Sequence, residues 1–125
     1  MHSLYFHIPF CTHRCAYCDF NTYAGQEDAI PAYVDALCKE IEFVGKSSRA
    51  GRSDSAVEVH TIFFGGGTPS LLSLLQFDSI FKSIRANFNL TNDAEITIEA
   101  NPGTVSYENL LELRRIGINR ISFGV

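Results

Sequence analysis

No stretch of this 125-residue chain approaches the roughly 20 consecutive apolar residues of a membrane-spanning helix. The N-terminus, Met1-His2-Ser3-Leu4-Tyr5, lacks the charged start and apolar core of a signal peptide. There is no basic run, and ten Lys and Arg against fourteen Asp and Glu give a net charge of −4. That balance argues against nucleic acid and against a membrane surface as partners. The chain has no internal repeat and no low-complexity tract. These absences predict a cytoplasmic protein without stable membrane insertion. Apolar residues make up 46% and charged residues 19%, which places the chain among globular rather than disordered sequences.

The chain holds only four cysteines, and three of them fall in one short run, Cys11-Thr12-His13-Arg14-Cys15-Ala16-Tyr17-Cys18. In a reducing compartment such thiols serve as metal ligands or core residues more often than as disulfides. Three thiolates at C-x3-C-x2-C spacing can hold three irons of a [4Fe–4S] cluster and leave the fourth iron open to a small molecule. A structural zinc site completed by His7 or His13 is one alternative, and a set of unligated thiols is another. No second CxxC knuckle exists for zinc, and the fourth cysteine of a ferredoxin run is missing. Cys38 shares the apolar side of a predicted helix with Val34 and Ile41, and reads as a core thiol.

Hydrophobic periodicity predicts strands over 4–8, 58–64, 94–100 and 119–125. It predicts helices over 30–44, 73–88 and 107–116. Ser106 is placed to cap the third helix, and Gly117 falls just past its end. Residues 45–57 are polar, rich in Gly and Ser and without periodicity, which predicts a flexible surface insert. The alternation of strand and helix implies right-handed βαβ units and a parallel sheet.

A parallel sheet covered on both faces should be apolar throughout. Here Leu4, Phe6 and Ile8 alternate with Tyr5 and His7, and Ile96 and Ile98 alternate with Glu95, Thr97 and Glu99. One apolar face and one polar face fit a sheet curled into a barrel, with helices outside and a ligand inside. Four strands cannot close such a barrel. The expected fold is therefore α/β, the N-terminal portion of a parallel partial TIM barrel, with residues 1–125 forming one incomplete barrel domain.

Gly65-Gly66-Gly67-Thr68-Pro69 directly follows the second predicted strand. Glycines there let the backbone approach a ligand closely, or simply make a tight strand-to-helix turn. The run is neither a P-loop nor G-x-G-x-x-G. Glu99 closes the third strand on its polar face, either to hold an ammonium or hydroxyl or as a solvated strand end. Tyr5 and His7 are expected to face the interior just before the cysteines, with a satisfied polar core as the plainer reading of His7. Arg120 belongs to the interior but near its strand's start, away from the ligand end.

Together these segments resemble the radical-SAM enzymes. The run Tyr5-Phe6-His7-Ile8-Pro9-Phe10-Cys11-x3-Cys15-Ala16-Tyr17-Cys18-Asp19-Phe20 is similar to the group that contains oxygen-independent coproporphyrinogen III oxidases and HemW-type heme chaperones. Phe63-Phe64-Gly65-Gly66-Gly67-Thr68-Pro69-Ser70, Ile98-Glu99-Ala100-Asn101-Pro102-Gly103-Thr104 and the segment 117–125 resemble the same group, in order. The resemblance implies that Cys11, Cys15 and Cys18 ligate the cluster and that S-adenosylmethionine (SAM) chelates the fourth iron. An electron from an external donor would then cleave SAM to methionine and a 5′-deoxyadenosyl radical. It further implies that Tyr5, the Tyr17 backbone, Gly66 and Glu99 contact SAM, with Gly67 and Thr68 bordering the same pocket or a second one.

The oxidases carry a further cysteine two residues after the third. Phe20 stands there in this chain, and the ending Cys18-Asp19-Phe20-Asn21 resembles the chaperone branch. The implied function is binding heme or porphyrin and delivering heme to acceptor proteins. The alternative is oxidative decarboxylation of coproporphyrinogen, which the missing cysteine argues against.

Overall fold

In a computed structural model of the chain, residues 2–11, 23–24, 29–49, 57–67, 69, 72–100 and 106–123 are described. The elements run β1 (His2–Ile8), β2 (Phe10–Cys11), β3 (Tyr23–Ala24), α1 (Ile30–Arg49), β4 (Glu58–Gly66), α2 (Leu74–Asn87), β5 (Asn89–Ala100), α3 (Tyr107–Ile116) and β6 (Arg120–Phe123). Strands β1, β4, β5 and β6 form one parallel sheet in the order β1-β4-β5-β6. The predicted alternation of strand and helix is thus observed, with a parallel sheet as its consequence. A second, minimal parallel pair joins Phe10 to Tyr23 and Cys11 to Ala24. It draws together the two ends of the segment that carries the remaining loop cysteines.

The apolar face of the sheet packs on the helices. Phe6, Ile8, Ile62, Phe64, Ile96 and Ile98 are buried there, against Phe77, Ile80, Phe81 and Ile84 of α2 and Val34, Leu37 and Ile41 of α1. Phe64 sits at the centre of an aromatic cluster. Its ring stacks on Phe6 at 5.1 Å between centroids and meets Phe77 and Phe81 edge-on at 5.5 and 5.8 Å. Edge-on and offset pairs of this kind add about 0.5–1.5 kcal/mol each beyond area burial.

Helix ends follow local chemistry. Ser73 caps α2 through a reciprocal box, its Oγ accepting from Gln76 N at 3.1 Å while Gln76 Oε1 accepts from Ser73 N at 2.7 Å. Ser106 caps α3 by accepting from Asn109 N at 3.2 Å. Gly117 ends that helix at φ +122°, a conformation that favours glycine.

Two boundaries differ from the sequence expectation by five residues. Residues 45–49 were expected in a flexible insert, but they continue α1. The reason is tertiary packing: Gly45 is buried where α1 crosses α2. A Cβ on Gly45 would lie 2.7 Å from Asn87 Cβ and 2.9 Å from the Asn87 carbonyl oxygen. Ser83 Oγ ties the same two helices by donating to the Cys38 carbonyl at 3.1 Å. The expected insert residues 50–56 lie outside the described residues. The third strand of the main sheet also begins at Asn89 rather than 94, because Asn89 N donates to Val57 O at 2.8 Å and Leu90 pairs with Val59. Between Leu90 and Glu95 the strand takes five steps while β4 takes two, from Val59 to Thr61. This bulge restores the register in which Glu95, Thr97 and Glu99 share one face.

Cys38 is half-buried against the core, and it is a free thiol whose pKa burial and the nearby Asp35 push up. Among the described residues, no helix is long and apolar enough to cross a membrane.

The close contact at Gly45 predicts that Gly45→Ala destabilises the protein. Alanine gains about 1 kcal/mol of helix propensity, but overpacking against backbone costs about 1–3 kcal/mol. The expected outcome is a lower thermal midpoint by circular dichroism, where a surface helical glycine would give a higher one.

Candidate functional site

The site forms on the sheet face opposite the helices, at the C-terminal ends of the strands. Side chains of a strand alternate between faces, so Phe64 enters the core while its neighbours Phe63 and Gly65 face the other way. Parallel registers then set the rows. Tyr5 pairs with Phe63 and Phe63 with Thr97, while His7 pairs with Gly65 and Glu99 with Ser122.

Tyr5, Gly65, Gly66 and Glu99 converge at the top of these rows. Gly66 N donates to Glu99 Oε1 at 3.2 Å. A Cβ on Gly65 would lie 2.5 Å from Glu99 Oε1, 2.8 Å from Tyr5 Oη and 2.9 Å from Phe63 Cε1. The carboxylate and the phenol therefore occupy the space above Gly65 that any other residue would fill. Gly66 adopts φ +111°, and a Cβ there would lie 2.7 Å from Ile8 O and 3.0 Å from the His7 ring. Gly67 N extends the pairing by donating to Ile8 O at 2.8 Å. Each of the three glycines thus meets a different requirement: space for side chains, a positive φ with close backbone approach, and a ladder bond.

Tyr5 stacks on Phe63 at 5.9 Å and 15°, and its Oη lies 3.4 Å from His7 Nδ1. The residue is 59% exposed overall, so the ring remains open while the hydroxyl is the end tucked over Gly65. Partial desolvation of that hydroxyl, and then the negative charge of Glu99, push the Tyr5 pKa above the ordinary phenol value. Glu99 offers a carboxylate, held on one oxygen by a backbone N–H, beside a neutral hydroxyl. Such a pair can accept hydrogen bonds from an ammonium or sugar hydroxyl.

The expected residues Tyr5, Gly66, Gly67 and Glu99 are therefore brought to one place. Cys11 pairs its backbone with Ala24 in the short β2–β3 ladder. Cys15, Tyr17, Cys18 and Thr68 lie outside the described residues. Arg120 sits near the start of β6, 3.7 Å from Glu95 and away from the carboxylate of Glu99, as its position in the strand implied. His60 pairs with Glu58 at 2.7 Å.

Sequence reasoning missed three contributors. Gly65 carries the tightest packing, yet nothing in the run distinguished it from its neighbours. Tyr33 of α1 donates from Oη to the His7 carbonyl, and nothing in the sequence pattern marked it. Asn119 acts as a strand partner through its side chain. Its Oδ1 accepts from Ile96 N at 2.8 Å, its Nδ2 donates to Ala94 O at 2.8 Å, and its own N–H donates to Ile96 O at 3.0 Å.

The sequence profile of the Radical SAM superfamily matches residues 5–125. The chain belongs to the radical SAM superfamily. Among curated radical SAM relatives, it is 43% identical over 128 residues to "Heme chaperone HemW" of Escherichia coli (strain K12), covering 98% of this chain and 31% of that protein. It is 42% identical over 126 residues to the HemW heme chaperone of Bacillus subtilis (strain 168), covering 100% of this chain and 32% of the relative. Among solved structures, coproporphyrinogen III oxidase (HemN) from Escherichia coli, described as a radical SAM enzyme, superposes with a TM-score of 0.85 at 40% identity. That match covers 98% of this chain and 27% of the oxidase. The chain thus spans about a third of the length of the curated relatives, and its fold corresponds to the N-terminal part of the radical SAM fold.

The raised phenol pKa gives a pH prediction. Tyr5 and Tyr33 both keep their protons above the ordinary value of 10.0, Tyr33 because of burial first, then the charges of Glu40 and Tyr5. A proton held more tightly in the folded state stabilises it below pH 10, and this contribution is lost as pH rises through the raised native values. Ultraviolet titration of the phenols should show a late component that Tyr5→Phe and Tyr33→Phe each reduce. Unchanged titration in both variants would contradict the environment described.

Proposed function

We propose that the protein is a heme chaperone on a radical SAM scaffold, binding a [4Fe–4S] cluster and SAM and delivering heme to acceptor proteins. The observation that carries the cofactor half is the cradle above Gly65. The missing Cβ lets a carboxylate and a hydroxyl close over the backbone there, beside a backbone N–H. These groups fit the ammonium and ribose hydroxyls of SAM. Cys11, Cys15 and Cys18 would hold the cluster, leaving one iron for the amino-acid end of SAM. Bound together, cluster and SAM supply one-electron reductive cleavage chemistry.

The protein's residues have separate tasks in this reading. Glu99 accepts hydrogen bonds from the ligand's ammonium or hydroxyl groups, held in place by Gly66 N. Tyr5 closes the outer side of the cradle, its hydroxyl kept neutral by its surroundings. In this reading Gly66 and the backbone of Tyr17 contact SAM, and Gly67 and Thr68 border the same pocket or a second one. The electron comes from an external donor. In this reading the protein works in the cytoplasm.

The heme-delivery half rests on Phe20, which stands where the oxidases carry a further cysteine, and on the chaperone names of the curated relatives. Oxidative decarboxylation of coproporphyrinogen is the second reading, favoured by the likeness to the solved oxidase. Heme affinity and coproporphyrinogen turnover, measured on the full-length protein, separate the two. Tight heme binding without turnover supports the chaperone. Turnover at an oxidase-like rate rejects it.

Variants test the cofactor ligands. Cys15→Ser should lose the cluster after anaerobic reconstitution, whereas Cys38→Ser should retain the wild-type iron content. The opposite pattern in iron and sulfide analysis would refute the ligand assignment. Gly65→Ala should retain iron but abolish the change that SAM produces in the electron paramagnetic resonance spectrum of the reduced cluster. The added methyl would displace Glu99 Oε1 and Tyr5 Oη. A wild-type SAM response in Gly65→Ala would remove the cradle from the SAM site.

A further inference from the structure

The groove between β1 and α1 adjoins the cradle and shares Tyr5 with it. It is a cavity of about 250 Å³ lined by the outer strand and by one face of the helix, including Tyr33, Leu37, Glu40 and Ile41. β1 is the terminal strand of the sheet. Its Ile8 carbonyl points inward and accepts from Gly67 N of the β4 end. Successive carbonyls of an extended strand point to opposite edges, so the His7 carbonyl points outward. Its partner comes from a helix, because Tyr33 Oη spans the groove and donates to it.

This contact acts at a sensitive place. The His7 ring lies against Gly66, where an added Cβ would come within 3.0 Å of Nδ1 and Cε1. The same ring reaches Tyr5 Oη at 3.4 Å. His7 therefore touches both the positive-φ glycine whose N–H holds Glu99 and the phenol that faces that carboxylate. The two ends of His7 are held by different elements: the carbonyl by α1, the ring by the β4 glycines and Tyr5. A shift of the His7 backbone moves the outer wall of the cradle relative to its floor. Tyr5 and Tyr33 line the same groove.

We propose that Tyr33 is a positioning residue for the SAM site, fixing the end of β1 through the His7 carbonyl and so holding Tyr5 and Gly66 in register with Glu99. The inference rests on the assignment of the cradle to SAM. In this inference Tyr33 acts through His7.

The test is a set of variants of the full-length protein, reconstituted with its cluster, with SAM affinity read by the cluster's paramagnetic resonance signal. Tyr33→Phe removes only the hydroxyl. It should keep the iron content and weaken SAM binding by about 3- to 10-fold, the scale of one lost hydrogen bond. Ile41→Val, which trims the same groove without touching the hydrogen bond, should leave SAM affinity unchanged at a comparable loss of thermal stability.

A double-mutant cycle gives the readout that general loosening would not produce. If Tyr33 acts through the His7–Tyr5 contact, Tyr5→Phe/Tyr33→Phe should lose less affinity than the product of the two single losses. Unchanged SAM affinity in Tyr33→Phe overturns the inference, as does an equal loss in Ile41→Val or strict additivity in the cycle. A Tyr33→Phe protein that does not fold makes the hydroxyl a determinant of folding and likewise overturns it. Failure of the wild type to bind SAM would instead remove the SAM reading of the cradle, and this inference with it.

Discussion

The site depends on one steric fact: there is no side chain at position 65. Three strands deliver groups to that point by parallel pairing, Tyr5 from β1, Gly65 from β4 and Glu99 from β5. The distances above Gly65, 2.5 Å to the carboxylate and 2.8 Å to the phenol from where a Cβ would stand, are too short for any other residue. The convergence of acid and hydroxyl is thus made possible by an absence. The neighbouring Gly66, at φ +111°, turns its N–H onto the same carboxylate. Two adjacent glycines therefore do opposite things, one withdrawing bulk and the other presenting a donor.

Such a cradle needs a stiff support, and the core provides it one residue away. Phe64 is fully buried among Phe6, Phe77 and Phe81, and its strand neighbours on either side face the site. Interiors packed at this density resist small displacements, so the strand carrying the glycines has little freedom to shift. The outer strands are held by side chains. Asn119 supplies two hydrogen bonds to β5 near the start of β6, and Tyr33 holds the end of β1. Register errors of one residue would turn Glu99 into the core and expose Ile98. The bulge between Leu90 and Glu95 shows how the register is recovered after the irregular start of β5.

Much of this was legible in the residue order. The alternation of Phe6 and Ile8 with Tyr5 and His7, and of Ile96 and Ile98 with Glu95 and Glu99, placed each side chain on its observed face. Ser106 and Gly117 marked the ends of α3 by local chemistry alone. Legibility failed where a contact between distant segments overrode local preference. Gly45-Lys46-Ser47-Ser48-Arg49 looks like a loop by composition, yet it is helix because Gly45 fits against Asn87. Asn89 to Asp93 has the composition of a turn, yet it begins a strand because β4 offers partners at Val57 and Val59. Asn119 and Tyr33 gave no signal of their bonding, since each acts on backbone groups 23 to 26 residues away.

The sequence by itself determined the family, the parallel α/β architecture, the cysteine spacing and the identity of the polar face. Those properties depend on periodicity and on residues adjacent in the chain, where sterics and hydrogen bonding act over a few positions. The tertiary structure decided which glycine forms the floor, which oxygen of Glu99 meets Gly66, how far α1 runs and what holds the outer edge of β1. Those outcomes depend on sub-ångström clearances between elements far apart in sequence. Such clearances exist only once the strands have paired and the helices have packed.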